Sequence, residues 1–188
     1  MGAGTHTRRA PGAAAGGAGL LVLALIGLWL LLGHNSPTGS SVSTPWQSGG
    51  LTFTSVGSSD AVPCGEHSYG QVQQYLRANP CRSLFRVLLD AHDNENHQML
   101  VALSWTQMPD PATTEALYQL AHRDGTGNIT ELSRELPAYS GVNFTGNHYA
   151  SRVDGATVVI AEAEPQAGDP PTALLNQTAE TALAFPRN

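Results

Sequence analysis

The stretch that decides the fold is residues 85–105, FRVLLDAHDNENHQMLVALSW. Apolar residues occupy every second position in each half of it: Phe85, Val87 and Leu89 in the first half, and Met99, Val101, Leu103 and Trp105 in the second. A period of two is typical of strands with one buried face. Residues 93–96, DNEN, lie between the two runs and have the composition of a turn. The stretch therefore predicts a β-hairpin.

Helix signals flank this hairpin. On its N-terminal side a helix is predicted over residues 68–79, with Ser68 as N-cap at capping-box spacing and a proline directly after its end. On its C-terminal side Asp110 is a natural N-cap, and the proline after it suits the first position of a helix over residues 111–123. Both helices carry apolar residues at helical spacing, so we expect each to pack on the sheet.

The second half of the chain repeats the pattern. A short helix is predicted between residues 128 and 136, and a second hairpin around Asp154 and Gly155, a dipeptide that favours a type I′ turn. A last helix follows the DPP sequence at 169–171. The order predicts an α+β fold: an antiparallel sheet of two hairpins, about four strands, with helices packed on one face.

Cys64 and Cys81 are the only cysteines in the sequence. Outside the cytoplasm an even pair indicates a disulfide, which here would join the start of the first predicted helix to the strand that follows it. The spacing is far from the C-x-x-C pattern of redox-active dithiols. We therefore expect a structural bridge.

An uncharged, mostly apolar segment covers residues 13–33, and we predict that it is a transmembrane helix in contact with the lipid bilayer. Roughly 20 such residues cross the hydrocarbon core. The strongly apolar part, residues 20–32, is short enough for a cleaved signal peptide, so that alternative stays open. Arg8 and Arg9 precede the segment, which predicts that residues 1–12 are cytoplasmic and that the rest lies outside the plasma membrane.

After the apolar segment, residues 34–62 are rich in Gly, Ser, Thr and Pro, which predicts a flexible linker, and residues 63–188 form the predicted extracytoplasmic domain. Seven arginines, no lysine and all fifteen acidic residues follow the apolar segment. A nucleic-acid-binding protein needs clustered positive charge, so that class is excluded. No cofactor fingerprint and no catalytic motif occurs in the sequence.

Two groups of residues are candidates for chemistry. The loop that contains Asp90, His92, Asp93, Glu95 and His97 carries metal-ligand side chains, of which His92, Asp93 and His97 are weak candidates for ligands, although turn chemistry explains the same residues. His148, Tyr149 and Arg152 are candidates for contact with a ligand or partner. Alternation along their strand places Tyr149 on the face opposite His148 and Arg152.

A third candidate is the sequence GTGN at residues 125–128, since glycines beside helix N–H groups can hold an anion. A phosphate-binding loop of the usual kind needs a lysine as well, and the chain contains none. Loop and helix-cap chemistry therefore explains these four residues better than an anion site does.

Three stretches, VALSWTQMPDP (101–111), GTGNITELSREL (125–136) and FTGNHYASRVDGATVVIAEAEP (144–165), resemble a group of uncharacterised actinobacterial membrane proteins. These proteins have one N-terminal membrane helix and a small outer domain. The resemblance covers about residues 64–186. It implies a location and an architecture, and it implies no activity, cofactor or catalytic residue.

Together these patterns predict a membrane-anchored extracytoplasmic domain that serves as a binding or structural module of the bacterial cell envelope, with an envelope protein or a small ligand as its partner. The alternative is a small extracytoplasmic hydrolase or metal-dependent enzyme. Its active residues would be Asp90, His92 and His97 in one version, and His148, Arg152 and Asp154 in the other.

Overall fold

The computed structural model describes residues 44–187, and the predicted transmembrane segment 13–33 lies outside them. Six antiparallel strands form one sheet in the order β1-β2-β3-β4-β6-β5. The strands are β1 (Trp46–Ser48), β2 (Leu51–Asp60), β3 (Ser83–His92), β4 (Gln98–Gln107), β5 (Tyr149–Asp154) and β6 (Thr157–Ala167). The α+β class is confirmed, and the sheet has two strands more than expected.

Three α-helices occur within the described residues: α1 (Gly70–Ala78), α2 (Pro111–Ala121) and α3 (Thr172–Ala182). Two 3₁₀ helices cover Cys64–His67 and Leu132–Glu135, the second in place of the short helix predicted before residue 136. None of the α-helices within residues 44–187 has the length and apolar character that crossing a bilayer requires.

The central hairpin is confirmed. Strands β3 and β4 pair over all ten residues, from Ser83 opposite Gln107 to His92 opposite Gln98, with no shift in register. In the turn, Asp93 Oδ1 accepts hydrogen bonds from the backbone N–H groups of Glu95 and His97, both at 2.9 Å. The aspartate therefore fixes the turn through its own side chain.

The sheet is covered on both faces, so the prediction of helices on one face is wrong. Helix α3 packs on the face that carries Val87 and Leu89, through residues such as Leu175. Helices α1 and α2 pack on the opposite face, against Leu84 and its neighbours. The reason is visible in the sequence: Leu88–Leu89, Leu100–Val101 and Val158–Val159 are adjacent apolar pairs, and adjacent strand residues point to opposite faces.

The prediction of a linker over residues 34–62 is also wrong in part, since residues 46–60 form β1 and β2. Leu51 and Phe53 are fully buried, and the Trp46 ring lies 5.3 Å from the Phe53 ring and 5.6 Å from the Phe185 ring. These aromatic contacts come from distant parts of the chain. Residues 34–43 lie outside the described part of the chain.

Two local predictions need correction. Tyr69, not Ser68, occupies the N-cap of α1, and the Ser68 hydroxyl donates to the carbonyl of Gly65 instead. In the second hairpin Asp154 pairs with Thr157, so the loop is Gly155–Ala156. Only Gly155 has a positive φ (58°) there, which is the pattern of a type II′ turn rather than type I′. The Asp110 N-cap of α2 is confirmed, since its side chain accepts from Thr113 N at 2.9 Å.

Cys64 and Cys81 form the expected disulfide, with Cα atoms 6.2 Å apart and a sequence separation of 17. The bridge joins the 3₁₀ helix before α1 to the segment that leads into β3. It thereby closes the loop that contains α1, one of the two helices on that face of the sheet. Closing a loop of this length in the unfolded chain contributes about 3 kcal/mol to stability.

Replacing both cysteines with alanine should therefore lower the free energy of unfolding by about 3 kcal/mol, because the unfolded chain regains the entropy of the open loop. Urea unfolding of the full-length chain measures the loss. Dithiothreitol should destabilise the wild type to the same extent and leave the double variant unchanged. An unfolding midpoint that does not move on reduction of the wild type would contradict the structural role of the bridge.

Candidate functional site

The acidic turn brings together some of the candidate metal ligands and separates the rest. Ligand atoms of Asp93, Glu95 and His97 lie within 4.8 Å of one another. Asp93 Oδ2 is 2.8 Å from His97 Nδ1, and this contact lowers the pKa of the aspartate and raises that of the histidine. Asp90 belongs to another contact, since Tyr139 Oη donates to it at 3.4 Å. His92 lies outside the cluster as well. Both Asp93 oxygens are thus used by the turn itself.

The strip at residues 148–152 divides between the two faces of β5, as its alternation predicts. His148 Nδ1 lies 2.9 Å from Asn176 Oδ1 on α3. Arg152 pairs with Asp154 at 3.1 Å, and its Nε donates to the carbonyl of Leu183. Tyr149 points the other way, towards the α2 side, where its ring centroid is 6.0 Å from that of His122. The set His148, Arg152 and Asp154 therefore shares no site with Tyr149.

Tyr149 lies instead in the wall of a cleft of about 500 Å³ on the α1–α2 side of the sheet. The cleft lies between the C-terminal end of α2, the loop 123–128, the loop 144–147 and the sheet itself. Its aromatic and polar lining includes Tyr69, His122, Asn128, Phe144, Tyr149 and Glu162. Ligand sites commonly have a volume of this size and a lining of this kind.

The loop at 125–128 is held tightly against the start of α1. The carbonyl of Thr126 accepts from the backbone N–H groups of Gln71 (2.6 Å) and Val72 (3.2 Å), and the carbonyl of Asn128 accepts from Tyr69 N. At Gly127 the φ angle is +94°, and a Cβ there would lie 2.1 Å from the Tyr69 carbonyl oxygen, so only glycine fits. The loop carbonyl groups thus occupy the N–H groups of Tyr69, Gln71 and Val72, which are therefore not available to an anion.

Glu162 forms the floor of the cleft. It lies on β6 opposite Tyr149 and is 5% exposed. The side-chain amide nitrogen of Asn128 donates to Glu162 Oε1. The side-chain oxygen of Asn128, Oδ1, accepts in turn from Ile129 N at 2.8 Å. Burial raises the pKa of Glu162 to about 7, and the nearby Glu131 carboxylate contributes to the rise.

Two more carboxylates are buried beside it. Glu131 pairs with Arg134 at 2.7 Å through one oxygen, while its buried Oε1 has no hydrogen-bond partner in the structure. Glu164 accepts from both the backbone N–H and the hydroxyl of Thr145. Within residues 44–187 no arginine or histidine nitrogen lies within 4.0 Å of the Glu162 or Glu164 carboxylates. Their charges are therefore balanced by neutral donors alone.

A smaller cavity of about 20 Å³ lies behind Glu162 and is lined by Arg86, Ser104 and Glu131, among others. It is large enough for one water molecule. Arg86 is 1% exposed, but its guanidinium is engaged elsewhere: Nη2 lies 2.8 Å from Glu135, and Nη1 donates to the carbonyl of Thr130. The one buried arginine of this region is thus committed to a carboxylate other than Glu162.

The pKa values of the two tyrosines in the cleft are raised by burial and by the same nearby carboxylates. The pKa of Tyr69 rises to about 12, first through burial and then through the charges of Glu131 and Glu162. The pKa of Tyr149 also rises to about 12, again mainly through burial, with a contribution from Glu162. Both phenols stay neutral over the physiological range. The Tyr149 hydroxyl is buried beside the hydroxyl of Ser151, whose hydrogen bond lowers the Tyr149 pKa against the larger effect of burial.

Sequence reasoning missed Glu131, Glu162 and Tyr69, and it considered Asn128 only as part of a possible anion-binding loop. One signal could have found Glu162: in residues 158–163, VVIAEA, a single acidic residue interrupts an apolar run in a strand. A charge in such a strand is buried unless the sheet leaves an opening above it. Glu131 and Asn128 carry no comparable signal, because they lie on a loop whose path depends on α1.

The charge state of Glu162 should make the chain less stable as the pH rises. Its folded pKa of about 7 exceeds the unfolded value of 4.5, so its favourable contribution is present at low pH and is lost as the pH rises through 7. Replacing Glu162 with Gln keeps an acceptor for Asn128 and removes the charge. The variant should gain about 3 kcal/mol over wild type between pH 4 and pH 8.

Urea unfolding at several pH values measures this difference. Glu180→Gln makes the same change on an exposed residue of α3, on the other face of the sheet, and its difference from wild type should stay flat. The groups that shape the titration of Glu162 are the carboxylates of Glu131 and Glu164, which raise its pKa, and the donors Asn128 and Gly146, which lower it. A pH-independent difference for Glu162→Gln would show that Glu162 is not held neutral by its surroundings.

Comparison of the chain with protein-family models, with curated proteins and with solved structures finds no match. No relative therefore supplies a role for any residue. The cleft itself contains a buried carboxylate without a cationic partner within residues 44–187, two neutral tyrosines and a loop tied to α1.

Proposed function

We propose that this chain is a membrane-anchored extracytoplasmic module that binds a small ligand in the cleft above Glu162. The membrane part of the proposal rests on the uncharged segment 13–33 and the two arginines before it. The binding part rests on the cleft. The observation that carries it is a 95% buried carboxylate, without an ion-pair partner within residues 44–187, at the floor of an open cleft of about 500 Å³.

A purely structural role explains this arrangement less well. A buried carboxylate costs free energy unless a cation or several donors compensate it, and an apolar residue at the same position of β6 would cost nothing of the kind. Groups with strongly shifted pKa values are concentrated at functional sites for this reason. Glu162, Tyr69 and Tyr149 all have such shifts and all line the same cleft.

The second candidate function is an enzyme that uses Glu162 as a general acid or base. The observation in its favour is the pKa near 7, the value at which a carboxyl group exchanges protons most effectively in neutral solution. Against it, the residues that line the cleft include no serine or cysteine as a nucleophile, and the Thr145 hydroxyl is already bonded to Glu164. The two residue sets of the sequence-based enzyme hypothesis, Asp90, His92 and His97 and the set His148, Arg152 and Asp154, lie outside this cleft. Binding is therefore the leading proposal.

A fragment library screened by ligand-observed NMR against the full-length chain should yield ligands that the cleft holds. Asn147 is exposed at the cleft wall, so Asn147→Trp should fill the opening and abolish binding of those fragments. Asn143→Trp changes an exposed residue of the same connection that does not line the cleft, and it should leave binding intact. A screen whose hits all survive Asn147→Trp, or that gives no hits, would refute the binding role.

The predicted orientation can be measured in cells. A phosphatase reporter fused to the C-terminus should be active, because that end lies outside the membrane, and the mature protein should retain residues 1–33. Mass spectrometry of the mature N-terminus checks the second point. A start after residue 33 would indicate a released protein, and a reporter active only inside the cell would reverse the topology.

A further inference from the structure

We propose that the cleft takes a small protonated amine, with its nitrogen against the Glu162 carboxylate and its carbon skeleton against the aromatic side chains of the wall. This inference rests on the proposed binding function and adds the chemical class of the ligand. It follows from three features of the cleft: the charge of the floor, the character of the walls, and the ends of the helices that border it.

The floor is an incomplete hydrogen-bonding site for a cation. An ionised carboxylate can accept about four hydrogen bonds, and the described residues supply two donors to Glu162, the side-chain amide of Asn128 and the backbone N–H of Gly146. An ammonium group brings three N–H donors and a positive charge, which the described protein does not supply at this point. A ligand carboxylate or phosphate would instead add negative charge beside Glu162, with Glu131 and Glu164 buried close behind it.

The walls suit the rest of such a molecule. Tyr69, Tyr149, His122 and Phe144 present ring faces or edges to the cleft, and cations bind favourably over aromatic faces. Tyr69 is 42% exposed, which leaves its ring available to a molecule that enters from solvent.

The helix ends agree with this polarity. Helix α2 ends at Ala121 in the cleft wall, and the C-terminal end of a helix carries a partial negative charge. Helix α1 begins at the cleft too, but the Thr126 carbonyl accepts from its Gln71 and Val72 N–H groups, which reduces the number that could meet an anion. Of the residues that line the cleft, Arg123 is the only arginine; it is exposed, donates to the carbonyl of Gln119 and is followed by Asp124.

Three probes of nearly equal shape test the class: phenethylamine, 2-phenylethanol and phenylacetate, which are cationic, neutral and anionic. Each is titrated into the full-length chain at pH 8 and followed by calorimetry or ligand-observed NMR. Phenethylamine should bind at least tenfold more tightly than 2-phenylethanol, because a charge-assisted hydrogen bond contributes that much. Phenylacetate should bind most weakly of the three.

Variants identify the groups responsible. Glu162→Gln should weaken phenethylamine binding at least tenfold and leave 2-phenylethanol unaffected, whereas Glu180→Gln should change neither. If Glu162→Gln does not fold, the ranking of the three probes on the wild type still decides the question.

The outcomes separate this inference from the proposed function. Equal or tighter binding of 2-phenylethanol or phenylacetate at a site that Asn147→Trp blocks would overturn the amine and leave the binding cleft standing. The same holds if none of the three binds while the fragment screen finds other cleft ligands. Phenethylamine binding that survives Glu162→Gln overturns the role of the carboxylate. If neither the fragment screen nor the three probes give a ligand that binds in the cleft, the proposed function itself is overturned.

Discussion

Burial of the central strands on both faces is the constraint on which the rest of the structure depends. Strands β3, β4 and β6 carry apolar residues at successive positions, such as Leu88–Leu89 and Val158–Val159, so each face must be covered. Helix α3 covers one face, and α1, α2 and the 3₁₀ helix Leu132–Glu135 cover the other. The cover on the second face is made of several short pieces, and an opening remains between them.

That opening explains why Glu162 borders the cleft although its side chain is largely buried. A carboxylate on a central strand is normally covered by a helix, and burying its charge there costs free energy, so such residues are rare. Here it lies under the gap between the end of α2 and the loop 144–147, close enough to the surface to meet a ligand and buried enough for its pKa to rise. The loop at 125–128 fixes one wall, because its carbonyl groups cap α1 and Gly127 packs directly on the Tyr69 backbone. The site is thus preorganised by the same contacts that hold α1 in place.

Much of the local structure could be predicted from residues that act on their neighbours. The Asp93 turn, the Asp110 N-cap and the pairing of Cys64 with Cys81 each depend on side chains close in sequence or on the small number of candidates. Strand β1 could not be predicted in this way. Trp46 lies in a segment of linker composition, and it is ordered by rings at positions 53 and 185.

The candidate site, likewise, could be predicted in part and not as a whole. Sequence patterns placed Tyr149 on the opposite face of its strand from His148 and Arg152, and the structure has that arrangement. They also indicated the loop at 90–97 as a candidate metal site, because ligand-type residues are close together there in sequence. The cleft draws Tyr69, Asn128, Tyr149 and Glu162 from four separate segments. Apolar positions, strand alternation and caps can be read from the sequence, because they are local properties. Which carboxylate lies buried beneath an opening follows from the tertiary fold alone, because it depends on where α1 and α2, which are distant in sequence, stop covering one face of the sheet.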